Sequence, residues 1–201
     1  MIFLTCKESI FLTRKESMMS ITYSDEPARK DDGGDLILWV LVWSELAVFG
    51  ILLGAFWVMS MLHPESFSVA KIHLSTRLAS VNTLVLLASG WQAALAARAS
   101  ASRTAQRVSL LLAAALGFVF AYIKLVEYQA ELKYAGDDTF NSFFELYFMI
   151  TGFHLAHVVF IAALFVLVAR KLDRSNIVIL TTIWHVIDLV WLVMFPLIYL
   201  G

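Results

Sequence analysis

Apolar residues fill five long stretches of this chain, and charge, Gly and Pro return only in the short segments between them. A helix needs about 20 mostly apolar residues to cross a bilayer, and each stretch reaches that length. The pattern predicts helices over about 36–62, 78–97, 108–128, 143–169 and 177–200. The first ends before Pro64. The second follows a polar connection with Lys71, His73 and Arg77, and the third follows a basic loop with Arg98, Arg103 and Arg107. No hydrophobic stretch is left over. The expected fold class is all-α, an integral membrane bundle of five helices.

Composition agrees. The chain is 60% hydrophobic and 15% charged, against about 25% charge in a soluble domain. A formal net charge of −1 offers no electrostatic argument for a nucleic-acid partner. The single Cys6 excludes an internal disulfide framework and a cysteine metal site.

Residues 1–35 differ from the rest and read as a mobile N-terminal tail. Phe3-Leu4-Thr5-Cys6-Lys7-Glu8-Ser9 recurs as Phe11-Leu12-Thr13-Arg14-Lys15-Glu16-Ser17, and Lys7 and Glu8 interrupt what would be a signal-peptide core. A start at Met18 or Met19 would remove the repeat altogether. Pro27, Gly33 and Gly34 mark loop, with Asp35 as the N-cap of the first helix.

Five crossings put the amino terminus and the loops after the second and fourth helices on one face. Those loops hold Arg98, Arg103, Arg107, Arg170, Lys171 and Arg174, opposed by Asp173 alone. The other face has Lys71, Arg77 and Lys133 among Glu65, Glu131, Asp137 and Asp138. The excess of basic residues places the amino terminus in the cytoplasm and Gly201 outside a bacterial cell membrane.

The candidate chemistry lies within the apolar stretches. Ionisable groups are costly in hydrocarbon, so within a span they face the bundle interior and find partners. At 1.5 Å of rise per residue, Glu45, His154, His185 and Asp188 each lie roughly 12–16 Å in. His157 is one turn from His154. The five share a layer on three helices and are expected to form one buried polar cluster. His154 and His157, like His185 and Asp188, are spaced i,i+3 on one helix face. Three roles compete: a polar lock between helices, proton storage or relay, and a metal or haem site. One Glu, one Asp and three His, without a repeated Glu-x-x-His, are a poor di-iron set. A bis-histidine haem would require His154 or His157 to face His185. Lys124 and Glu127 form a further i,i+3 pair near the outer boundary, read as a snorkelling lysine with a local salt bridge.

Gly50 and Gly54 make a Gly-x-x-x-Gly face suited to close helix packing. Trp39, Trp43, Trp91, Trp184 and Trp191 read mostly as interfacial anchors, and Pro196 as a kink in the last helix. Neither a nucleotide loop nor a nucleophile–base pair in a water-accessible segment is recognisable.

Several runs resemble the subunit III family of haem-copper oxidases, one per helix and in the same order. Trp43-Ser44-Glu45-Leu46 with Phe49 is similar to its Ser-Glu-x-x-x-Phe run, and Asn82 to Ser89 to its next helix. Glu127-Tyr128, Gly152-Phe153-His154 with His157-Val158, and Trp184-His185 with Asp188 and Trp191 follow. The chain resembles a short form lacking the first two helices of the seven-helix subunit. His63-Pro64-Glu65-Ser66-Phe67 and Gly34-Asp35 resemble the NorE type associated with nitric oxide reductase. The five-helix quinol-oxidase subunit III carries Asp at the position of Glu45.

The resemblance implies a non-catalytic accessory subunit, with no cofactor or metal of its own. Haem and copper or non-haem iron would sit in a catalytic partner subunit, and phospholipid would bind alongside. The competing readings are a self-contained transporter or proton-conducting bundle, and a membrane cytochrome.

Overall fold

The computed structural model describes residues 32–72, 74–133 and 141–200. The tail expected over 1–35 thus lies almost wholly outside the described residues, as do His73, Asp137, Asp138 and Gly201. The chain divides into two compact units, Met1–Val40 and Leu41–Gly201. Of the first, only the start of helix α1 (Asp32–Leu62) is described. That helix begins three residues before the expected cap at Asp35 and runs through Gly33 and Gly34. Each residue added to an existing helix gains a backbone bond without a new nucleation cost, which outweighs two weak helix formers.

The second unit adds α2 (Pro64–Ile72), α3 (Thr76–Ala97), α4 (Arg103–Glu131), α5 (Asn141–Arg170) and α6 (Arg174–Phe195). Helix α2 occupies the connection read as polar loop. Pro64 starts it, at the position where a missing N–H costs nothing, and Phe67 and Ala70 are its buried residues. Burial holds the Lys71 ammonium below the usual lysine range. Five helices are long and apolar enough to cross a membrane.

Helices α3 to α6 form a closed ring: α3 beside α4, α4 beside α5, α5 beside α6, and α6 back against α3. Each turns a periodic stripe inward. On α4 the stripe is Leu110, Ala113, Ala114, Gly117, Phe120, Ala121, Lys124, Glu127 and Glu131, the i,i+3,i+4,i+7 spacing of one helix face. Two side chains pin α3 to α4: Asn82 Nδ2 donates to the Phe120 carbonyl (3.3 Å), and Ser89 Oγ to that of Ala113 (2.8 Å). Gly117 makes room for Trp184, since a Cβ there would stand 2.8 Å from the indole and 3.2 Å from the Ala162 Cβ.

Helix α1 attaches differently. Its buried residues from Leu41 onward are Val42, Phe49 and Phe56, spaced seven apart. Phe49 packs on Phe153, and Phe56 on Phe67 and Phe143, at ring separations of 5.3–5.7 Å. A Cβ added at Gly50 or Gly54 would meet no neighbouring element within 4 Å among the described residues, so the Gly-x-x-x-Gly face is not a packing face there. The reason is rotational: the aromatic stripe that seats α1 points the glycines the other way.

Two further expectations change. Trp184 and Trp191 are buried core residues, 0% and 1% exposed, rather than interfacial anchors. They lie on the inward stripe of α6, while Trp43 and Trp91 remain exposed. At Pro196, α6 passes into a π-helical turn, Pro196–Leu200. Proline lacks the N–H that an α-helical bond would use there, so the ladder changes register.

Candidate functional site

The inward stripes carry polar groups into the bundle, and these occupy four places. The five groups expected in one cluster are divided among three of them.

Glu45 and His157 meet where α1 lies on α5. His157 Nε2 stands 3.2 Å from both Glu45 carboxyl oxygens, with hydrogen-bond geometry to Oε1. Nδ1 lies 2.8 Å from the Phe153 carbonyl, which only accepts, so Nδ1 carries a proton. The pair is then either a neutral imidazole accepting from a protonated Glu45, or an imidazolium donating to a carboxylate. Each form holds one proton between the two groups.

His154 lies one turn away but faces the core. Its ring stacks on Trp191 (5.3 Å between centroids) and meets the edges of Phe120 and Phe49 at 5.8 and 6.1 Å. Neither ring nitrogen has a hydrogen-bond partner among the described residues. Trp191 in turn donates its indole N–H to Thr83 Oγ1 at 2.9 Å.

His185 and Asp188 form the third place, on α6 facing α3. Nδ1 of His185 is 3.8 Å from Asp188 Oδ2. The second carboxyl oxygen, Oδ1, is buried without a hydrogen-bond partner among the described residues. Asp188 rests against Gly90, where any Cβ would collide with Oδ2. No haem is bracketed by this arrangement: His154 is enclosed by aromatic rings, His157 is engaged with Glu45, and His185 opens on a separate groove. Among the described residues, no group of three or more His, Cys, Asp or Glu comes together as a metal site would require.

The fourth place is the most completely satisfied. Lys124 is fully buried and does not snorkel. Its ammonium donates to Glu127 Oε2 (3.1 Å), Tyr147 Oη (2.8 Å) and Tyr199 Oη (2.5 Å), using its three protons. The Tyr147, Tyr128, Tyr199 and Trp191 rings surround it at 4.8–5.5 Å, close enough for cation–π attraction. Tyr199 donates to Glu127 Oε1 at 2.7 Å, completing a closed circuit. Tyr128 donates to Thr151, which donates to the Tyr147 carbonyl, both at 2.6 Å. Glu131 is buried beside this set with neither carboxyl oxygen hydrogen-bonded among the described residues. Pairing the ion inward is favoured because the Lys124 position lies on the buried stripe of α4, away from lipid.

Sequence reasoning found Lys124 and Glu127 but missed Tyr147, Tyr199, Thr151 and Glu131. A signal existed for Glu131: it continues the α4 stripe at i+7 from Lys124 and i+4 from Glu127. The Tyr199 position depends on the π-helical turn, which spacing does not reveal.

Such a bundle, with most of its polar groups enclosed between helices long and apolar enough to cross a membrane, defines a multi-pass membrane protein. The chain belongs to the cytochrome c oxidase subunit III family, whose model matches residues 28–201. It is similar to the cytochrome bo(3) ubiquinol oxidase subunit 3 of Buchnera aphidicola, 24% identical over 82% of this chain and 92% of that protein. It is also similar to the probable quinol oxidase subunit 3 of Staphylococcus saprophyticus, 23% identical over 88% and 92%. The cytochrome c oxidase subunit 3 of Schizophyllum commune is 33% identical over 59% of this chain and 47% of its own. The chain is thus a subunit III of the haem-copper oxidase type.

Proposed function

We propose that the chain is a non-catalytic accessory subunit of a respiratory haem-copper oxidase complex, stabilising a haem-containing catalytic partner and supporting gas or proton access to it. The observation that carries this is the family match over residues 28–201, together with relatives whose names call them quinol oxidase subunit 3. The polar groups fit a locking role: Lys124, Glu127, Tyr147 and Tyr199 consume one another's hydrogen bonds. Membrane lipid is the second partner. A recess of 440 Å³ at the basic end of the bundle, between Arg107 and Arg170 over Leu111 and Val166, suits a lipid phosphate with its chain along the apolar wall.

A nitric oxide reductase complex of the NorE type is the second reading. The run His63 to Phe67 and the pair Gly34-Asp35 favour it. Glu rather than Asp at position 45 separates it from the quinol-oxidase pattern, whereas the relatives found by comparison favour the oxidase.

The proposal is tested by deleting the gene and following haem absorbance and O₂ and NO consumption in native membranes. We expect one of the two activities and its haem signal to fall, and plasmid-borne chain to restore both. Unchanged haem and unchanged consumption of both gases would contradict the proposal.

A further inference from the structure

The Lys124 circuit closes without Glu131, and that closure leaves one charge to account for. The ammonium spends its three protons on Glu127, Tyr147 and Tyr199, and Tyr199 donates its own to Glu127. Tyr147 Oη reaches Tyr199 at 3.1 Å or Glu127 at 3.4 Å. Tyr128 donates to Thr151, and Thr151 to a backbone carbonyl. Every donor on these side chains is committed within the set, and Lys124 and Glu127 cancel as one cation and one anion. Glu131 is 2% exposed, and neither of its oxygens finds a donor among the described residues.

Two carboxyl groups thus share one ammonium. An ionised Glu131 would be a second negative charge beside Glu127, with neither water nor a hydrogen bond to stabilise it. The group is therefore neutral and carries a proton. The titratable groups around it are Lys124, Glu127 and Tyr128 on α4, Tyr147 on α5 and Tyr199 on the last turn. Helix α3 presents Asn82 and Ser89 to α4, neither of which titrates, and His154 on α5 lies deeper, toward Lys124. Water is close by: Glu131 ends α4, and Leu132 and Lys133 beyond it are exposed.

We propose that Glu131 is a proton-binding site that latches the last turn of the bundle. Protonated, it leaves Lys124 free to hold Tyr199. When the proton passes to water at the exposed turn, Lys124 must be divided between two carboxylates, and its bonds to the tyrosines are the ones it can give up. Tyr147 lies within α5, but Tyr199 lies on the terminal π-helical turn, Pro196–Leu200, so that turn is released first. The inference goes beyond the accessory-subunit reading and does not depend on it. An unfolded, water-exposed Glu gives up its proton above about pH 4, whereas the folded chain keeps it. Stability is then greatest at low pH and falls as pH rises, until the folded site also empties.

The full chain in lipid nanodiscs tests this between about pH 5 and about pH 9, short of the ordinary tyrosine and lysine ranges. At about pH 7, where exposed carboxyls are ionised, Glu131→Gln should remove intensity from the protonated-carboxyl C=O band in the infrared. Spin labels on cysteines replacing Tyr122 and Leu200, both exposed, with Cys6→Ser, report the position of the last turn. We expect their distance to lengthen and broaden as pH rises, and to stay fixed with Glu131→Gln. Relative to Glu131→Gln, the folded-to-unfolded ratio of the unsubstituted chain should fall by up to about tenfold per pH unit, the linkage of one proton. The histidines titrate in both chains and cancel. A carboxyl band of full intensity in Glu131→Gln, or a label distance insensitive to pH with Glu131 in place, would overturn the proposal.

Discussion

Lys124 shows how a single position can be legible in identity and illegible in direction. The i,i+3 spacing to Glu127 predicts the ion pair, which the structure contains at 3.1 Å. It does not say which way the pair faces, because a lysine near a helix end can reach water as easily as a buried acid. The partners that turn it inward, Tyr147 and Tyr199, lie on other helices. Removing one member of a buried pair costs about 3–5 kcal/mol, and removing both costs far less. Lys124→Met should therefore lower the thermal midpoint in detergent sharply, and Lys124→Met with Glu127→Gln should recover most of it. Two single-mutant losses that simply add would contradict the closed circuit. The glycines give a cleaner contrast. Gly117→Ala drives a methyl into Trp184 and Ala162 and should cost about 1–3 kcal/mol. Gly50→Ala and Gly54→Ala meet open space and should leave the melting of the isolated chain unchanged.

At the scale of elements, five apolar stretches became five spanning helices because nothing but a helix satisfies its own backbone in lipid. That part was legible from composition and length alone. Helix ends were less so: α4 extends to Arg103 and Glu131, beyond the apolar run at both ends, the first exposed and the second buried beside Lys124 and Glu127. The division of the five polar groups among three places was not legible, because depth fixes a layer and leaves rotation about each axis free. Rotation separates His154, turned to the core, from His157, turned to Glu45. Helix α1 is seated through Phe49 and Phe56, so Phe49→Ala should loosen it selectively. Spin labels on α1 and α5 should show a broadened distance distribution, while an α4–α5 pair stays narrow. The Glu45–His157 contact adds only about 0.6 kcal/mol on the scale of interhelical hydrogen bonds in membranes, and Glu45→Gln should barely shift melting. Pro196→Ala restores an N–H, so the π-helical turn should relax and carry Tyr199 away from Lys124, lowering stability by more than one hydrogen bond.

For the whole molecule, the ring of α3 to α6 holds its ions internally except at the α3–α6 groove, while α1 leaves its glycine face open. The family match makes such a bundle a subunit III, and the accessory role proposed for it is one of assembly. The basic loops predict its orientation: a reporter fused after Gly201 should be active only outside the cytoplasm, and a cytoplasmic signal would reverse the topology. The central claim concerns partnership, and purification of the tagged chain from native membranes in mild detergent tests it most directly. Visible absorbance and native mass of the product are the readouts. The account predicts a haem spectrum at a fixed ratio to this chain, carried by a larger subunit that leaves with it on denaturation. A haem-free chain of its own mass alone, recovered in several detergents, would contradict it.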